Sequence, residues 1–126
     1  MSPLILSCRE LPGGVLITVA GELDSSNSDK LQTYAERYCR LGADMVLDLH
    51  GLTFLDSRGL HVLLRLQAAV RAQGGVLRLA DVQELPARVL EITGVRQALV
   101  IEPDVRQAIA AMRERRPDDA RLPGGR

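Results

Sequence analysis

A chain of 126 residues, 46% of them hydrophobic, is the size of one domain and can build a core without disulfide or metal staples. Sixteen basic residues balance sixteen acidic ones, so no net field steers the chain toward nucleic acid or an anionic membrane. Tyr34, Tyr38 and Phe54 are the only aromatics, which makes the core aliphatic and leaves little for a nucleic-acid stacking platform.

In chain order, Leu4 to Glu10 is a short apolar-leaning stretch and Pro12-Gly13-Gly14 a turn signal. Val15 to Ala20 is β-branched and reads as a largely buried strand, so the two stretches predict a β-hairpin. Gly21-Glu22-Leu23-Asp24 closes the strand and leads into Ser25-Ser26-Asn27-Ser28, a cluster of candidate helix N-caps. Leu31, Tyr34, Ala35, Tyr38 and Leu41 keep helical rhythm and predict a helix over 28–41, with Gly42 as its C-cap. Met45 to Leu49 is a compact apolar strand suited to the middle of a sheet.

Gly51 to Leu55 reads as a loop with apolar anchors, and Asp56-Ser57 precedes a helical run to about Gln73 that Gly74-Gly75 stops. Val76 to Ala80 is a further strand, Glu84 to Thr93 a short helix with Pro86 tolerable in its first turn, and Ala98 to Ile101 a last short strand. A final helix opens at Pro103 and ends near Met112. The tail from 113 to 126 is charged, holds Pro117, Pro123 and Gly124-Gly125, and is expected to be disordered. The order is β-β-α-β-α-β-α-β-α. Alternation after the hairpin predicts an α/β domain over 1–112 with a largely parallel sheet.

Cys8 and Cys39 lie far apart and outside metal-ligand spacing; reduced thiols are expected, and a disulfide stays open. No basic region followed by a long apolar run opens the chain, so no signal peptide is expected. No stretch approaches the roughly 20 apolar residues that span a bilayer. The expectation is a soluble, cytoplasmic protein.

Asp56-Ser57 is the most informative dyad. A helix start presents unpaired N–H groups and the positive end of the macrodipole. A serine there can cap the helix, worth about 1 kcal/mol. It can equally carry a phosphate, adding about −1.5 to −2 charges where N–H groups receive an anion. The dyad alone favours the cap. Glu22 and Asp24 have the same two readings: helix-start residues, or part of a partner surface.

Phe54-Leu55-Asp56-Ser57-Arg58-Gly59-Leu60, with Val62-Leu63-Leu64, resembles the hallmark of the STAS domain, and more closely that of the bacterial anti-sigma-factor antagonists. Gly21-Glu22-Leu23-Asp24, Val46-Leu47-Asp48-Leu49, Gly74 to Leu79 and Ile92-Thr93-Gly94-Val95 are similar to further pieces of that family, in order, over about 4–112. The resemblance implies a single STAS-like domain with a small mixed, mostly parallel sheet and helices packed mainly on one face. It implies that Ser57 accepts phosphate from a partner that is both an anti-sigma factor and a GHKL-type serine kinase. The unphosphorylated form binds this partner and frees a sigma factor; phosphorylation breaks the complex, and a serine phosphatase resets it. The partner-facing surface would comprise Glu22, Asp24, Asp56, Ser57, Arg58, Gly59 and His61. No cofactor, metal, direct nucleic acid or membrane is implied.

Two residues depart from the family pattern: Arg58 stands where Ser or Thr is common, and His61 where a small residue is common. Both would sit on or beside the partner surface, and they bear on which kinase reads the serine. A STAS scaffold in a signalling or transporter complex, without phosphorylation, is the alternative. A hydrolase built on Asp56, Ser57 and His61 lacks Gly-x-Ser-x-Gly and an evident oxyanion hole. Asp24, Asp48 and Asp56 could converge on a cation, although solvated or N–H-bonded aspartates are commoner.

Overall fold

The computed structural model of the protein describes residues 3–115. Strands β1 (Ile5–Leu11) and β2 (Gly14–Leu23) form the expected hairpin, in antiparallel register from Ile5 opposite Ala20 to Leu11 opposite Gly14. Then follow α1 (Ser28–Glu36), β3 (Asp44–Asp48), β4 (Leu52–Leu55), α2 (Ser57–Ala72), β5 (Leu77–Ala80) and α3 (Glu84–Ile92). A 3-10 turn at Arg96–Ala98, β6 (Val100–Glu102) and α4 (Val105–Arg115) complete the described chain. The sheet order is β1-β2-β3-β5-β6, with every pair after the hairpin parallel.

Alternation along the strands sorts the side chains onto two faces. Val15, Ile17, Val19, Met45, Leu47, Leu77 and Leu79 belong to the larger core, with Leu31 and Ala35 of α1, Leu60, Leu63 and Leu66 of α2, and Leu90 of α3. Each fully buried leucine contributes about 1.5–3 kcal/mol of transfer free energy. The intervening residues Val46 and Ala80 meet Ala108 of α4 in a smaller cluster on the opposite face, beside Leu16 and Val105. Three helices therefore cover one face and one covers the other. The central strands β3 and β5 are buried on both sides, which explains why they are mostly apolar, with Asp44 and Arg78 the buried exceptions.

Several boundaries differ from the sequence expectation. Helix α1 ends at Glu36, because the Tyr38 and Cys39 amides bond three residues back, to Ala35 and Glu36, and the chain turns toward β3. Leu41 is consequently 87% exposed rather than on the apolar face. Gly42 does not cap α1; it turns at φ +74 and donates to the Gln73 carbonyl. Residues 52–55 form a strand rather than a loop, because the far end of β2, beyond β3, pairs with them: Glu22 opposite Phe54 and Leu23 opposite Leu55. Helix α4 runs past Met112 to Arg115; the rest of the expected tail lies outside the described residues.

At the start of β3, Asp44 is fully buried. Its carboxylate accepts from Arg78 Nη1 at 2.8 Å, Arg115 Nη2 at 2.6 Å and the Val76 amide at 3.0 Å. One residue thus ties β3 to β5 and to the last turn of α4. Cys8 and Cys39 are free thiols, both half-buried. Among the described residues, no helix is long and apolar enough to cross a membrane.

Candidate functional site

The parallel strands β2, β3, β4 and β5 all point their carboxyl ends toward one edge of the molecule, the usual place for function in such sheets. The loop after β2 and the start of α2 meet there. Asp56 is the N-cap of α2, in extended conformation, and its Oδ1 accepts from the Gly59 amide at 3.0 Å. Its Oδ2 accepts from the Ser25 amide at 3.1 Å, and its own amide donates to the Leu23 carbonyl. A single carboxylate therefore caps α2 and holds the β2–α1 loop beside it. Asp56→Ala should cost about 1 kcal/mol from the lost cap alone, read as a lowered urea midpoint with an unchanged m-value.

Because Asp56 takes the cap, Ser57 does not. Ser57 is the first residue of α2 and is exposed, and its hydroxyl has no hydrogen-bond partner among the described residues. Of the two roles open in the sequence, the structure removes one: Ser57 is not the capping residue. Gly59, one turn inward, lets α2 approach the sheet closely. A Cβ there would lie 2.8 Å from both Leu23 Cγ and Leu55 Cδ1.

The other expected residues fall around this point. Glu22 is half-buried at the end of β2, beside β4, and its carbonyl accepts from Asn27 Nδ2 at 2.8 Å. Asn27 is the N-cap of α1, yet its side chain reaches back to Glu22 and to the Asp24 amide instead of capping. Asp24 Oδ1 accepts from the Ser26 hydroxyl at 2.6 Å and the Ser26 amide at 2.9 Å, and these two bonds hold its carboxyl below the usual range. Arg58 and His61 are exposed on α2, and with Arg65 they line a shallow groove toward α1. Arg65 was not anticipated; its place four residues after His61 and seven after Arg58 is the signal that could have found it.

Neither the hydrolase arrangement nor the three-aspartate cation site is assembled among the described residues. Both Asp56 oxygens are engaged by backbone amides, and Ser57 and His61 share no hydrogen bond among the described residues. Asp48 Oδ1 accepts from the His50 amide at 3.0 Å. No group of three potential ligands among the described residues is placed to hold a metal ion.

Comparison with known proteins identifies the family and the fold. The STAS domain family model matches residues 6–108. The anti-sigma-B factor antagonist of Bacillus subtilis is 30% identical over 87 residues, covering 69% of this chain and 80% of that protein. An anti-sigma factor antagonist from Mycobacterium paratuberculosis shares the fold, with TM-score 0.75 and 21% identity over 88% of this chain and 95% of that one. So does the phosphorylated form of the Bacillus cell fate determinant SpoIIAA, with TM-score 0.61 and 17% identity over 85% and 98%. The fold also occurs within a transporter: the murine anion transporter Slc26a9 matches with TM-score 0.73 and 19% identity, over 84% of this chain and 18% of that one. A family match across most of the chain, with that identity to a curated antagonist, places this protein in the STAS domain family among the anti-sigma factor antagonists, which work by binding and not as enzymes.

Proposed function

We propose that this protein binds an anti-sigma factor with GHKL-type serine kinase activity, thereby freeing a sigma factor, and that phosphorylation of Ser57 switches the binding off. The observation that carries this reading is the exposed Ser57 hydroxyl at the start of α2, left free because Asp56 holds the cap. The kinase reaches it without unfolding the helix. The surface that meets the partner comprises Glu22, Asp24, Asp56, Ser57, Arg58, Gly59 and His61, and a serine phosphatase restores the unmodified form. The protein acts in the cytoplasm, where sigma factors work.

The physical basis of the switch is charge. A phosphate on Ser57 adds about −1.5 to −2 charges directly after Asp56, with the Asp24 loop held alongside through Ser25. In a closed interface these anions repel one another and lose hydration. Like-charge juxtaposition costs several kcal/mol, or more than about a hundredfold in affinity.

Incubation with candidate anti-sigma kinases and ATP tests the proposal. Phosphate should appear on the wild type and be lost in Ser57→Ala. Ser57→Ala should keep its affinity for the kinase, and Ser57→Asp should bind at least about tenfold more weakly, since one carboxylate carries less charge than a phosphate. Equal affinities for the Ala and Asp variants would sink the switch. Stable partner binding with no phosphate transfer would favour a STAS scaffold, the role suggested by the fold's presence in a transporter.

A further inference from the structure

The charge on this chain is balanced overall but not locally. Helix α2 carries Arg58, Arg65 and Arg71 and no carboxylate at all. Arg58, His61 and Arg65 are spaced by three and four residues, so they share one face of the helix, and all three are exposed. That face begins beside Ser57 and continues into a groove of about 330 Å³ between α2 and the start of α1.

None of Arg58, His61 and Arg65 has an ionic partner among the described residues. Arg40, Arg78, Arg88 and Arg115 are each paired with a carboxylate, whereas Arg58 and Arg65 make no ion pair among the described residues. Asp29 lines the same groove but bridges to neither. Among the described residues, Arg65 makes one long polar contact, to Gln32 Oε1 at 3.3 Å. Arg58 stands in the first turn of the helix, where the macrodipole disfavours a cation and where the one nearby carboxylate, Asp56, is engaged as the cap. A cation retained against the dipole, unpaired, in a row with two other donors, is complementary to an anionic surface that is absent from the isolated chain.

We propose that this row docks an acidic segment of the partner protein. The inference rests on the partner-binding reading above and names the partner's chemistry: carboxylates that lie along α2 and meet Arg58, His61 and Arg65 while Ser57 enters the kinase site. Ser57 then stands at a boundary of opposite charge. Glu22, Asp24 and Asp56 flank it on the sheet side and the basic row flanks it on the helix side. An interface with both signs can be satisfied in only one orientation, which aims the hydroxyl at the phosphoryl donor. A nucleic acid or an anionic membrane is the weaker match, because the row holds two arginines and one histidine in a chain of zero net charge with few aromatics.

Two measurements test this. In the first, the kinase that phosphorylates wild-type Ser57 is titrated with R58E/R65E, R58K/R65K and R71E. The charge reversal should weaken binding by about tenfold or more and flatten its salt dependence. The lysine pair should retain most of the affinity, and R71E, on another side of α2, should leave it unchanged. If R58E/R65E binds and is phosphorylated like the wild type, the docking row is wrong while the phosphoacceptor reading stands. If no kinase binds the wild type, that reading fails instead. The second measurement is independent of any kinase: a ten-residue Asp/Glu peptide is titrated while backbone amides are followed by NMR. Shifts confined to 58–65 and lost in R58E/R65E support acidic docking. Shifts elsewhere, no shifts, or preferential binding of single-stranded DNA or phosphatidylglycerol vesicles at this face would overturn it.

Discussion

Replacing Asp44 with Ala should destabilise the protein by about 3–5 kcal/mol, the range seen when one partner of a buried ion pair is removed. Set against the 5–15 kcal/mol that holds a typical domain together, this is a large share. The reason lies in what the substitution leaves behind. Arg78 is only 8% exposed and would keep a buried charge with no counter-ion among the described residues, whereas Arg115 is 33% exposed and can turn to water. The Val76 amide would lose its acceptor as well. Urea unfolding should show a fallen midpoint. Removing both buried charges together, as Asp44→Leu with Arg78→Met, should recover much of the loss, because the desolvation cost goes with the pair. A double variant as unstable as Asp44→Ala would show that shape rather than charge decides the site.

The same group sets an acid limit. Burial by itself would raise the Asp44 carboxyl, but the hydrogen bonds from Arg115, Arg78 and the Val76 amide outweigh it and leave it below the ordinary 3.8. The unfolded chain therefore takes up a proton first as pH falls. Stability from Asp44 is fully present above about pH 3.8 and is lost as pH drops from there through the lower folded value. Asp44→Asn should remove this component of the acid transition, which a series of denaturant midpoints against pH would reveal.

Gly59→Ala should have the second largest effect, a net loss of about 1–3 kcal/mol from overpacking, although alanine is the better helix former by up to about 1 kcal/mol. The balance is settled by space. The new methyl would meet Leu23 and Leu55 at 2.8 Å, closer than carbon atoms tolerate, and both leucines are buried with no room to swing aside. The start of α2 must lift away from the sheet, carrying Ser57 with it. On the proposed function, phosphorylation by the kinase should slow more than the stability loss explains. A variant that unfolds earlier yet is phosphorylated at the wild-type rate would show that the lift does not reach Ser57.

The hairpin, the central strands and α2 are legible in the sequence because each carries a local signal: β-branched runs, helical spacing, or glycines at the ends. Strand β4 is not, because it has four residues with two exposed and exists only by pairing with the end of β2 some thirty residues earlier. The over-long α1 has the opposite cause. Tyr38 and Leu41 fit the helical rhythm, and nothing local reveals that the chain must turn back early to begin β3. The Asp44 cluster joins residues 34 and 71 positions apart, a distance no spacing rule covers. At the candidate site the residues are legible but their roles are not. Asp56 and Ser57 are both good caps by type, and only the geometry assigns the task to Asp56.

That assignment has an evolutionary consequence. With the helix secured by its neighbour, the residue at 57 carries no share of the fold's stability through capping. On the proposed function, a codon change there would alter regulation while leaving the protein as durable as before, so a lineage could lose or regain the proposed phosphoacceptor without passing through a poorly folded ancestor. Position 56 has no such freedom.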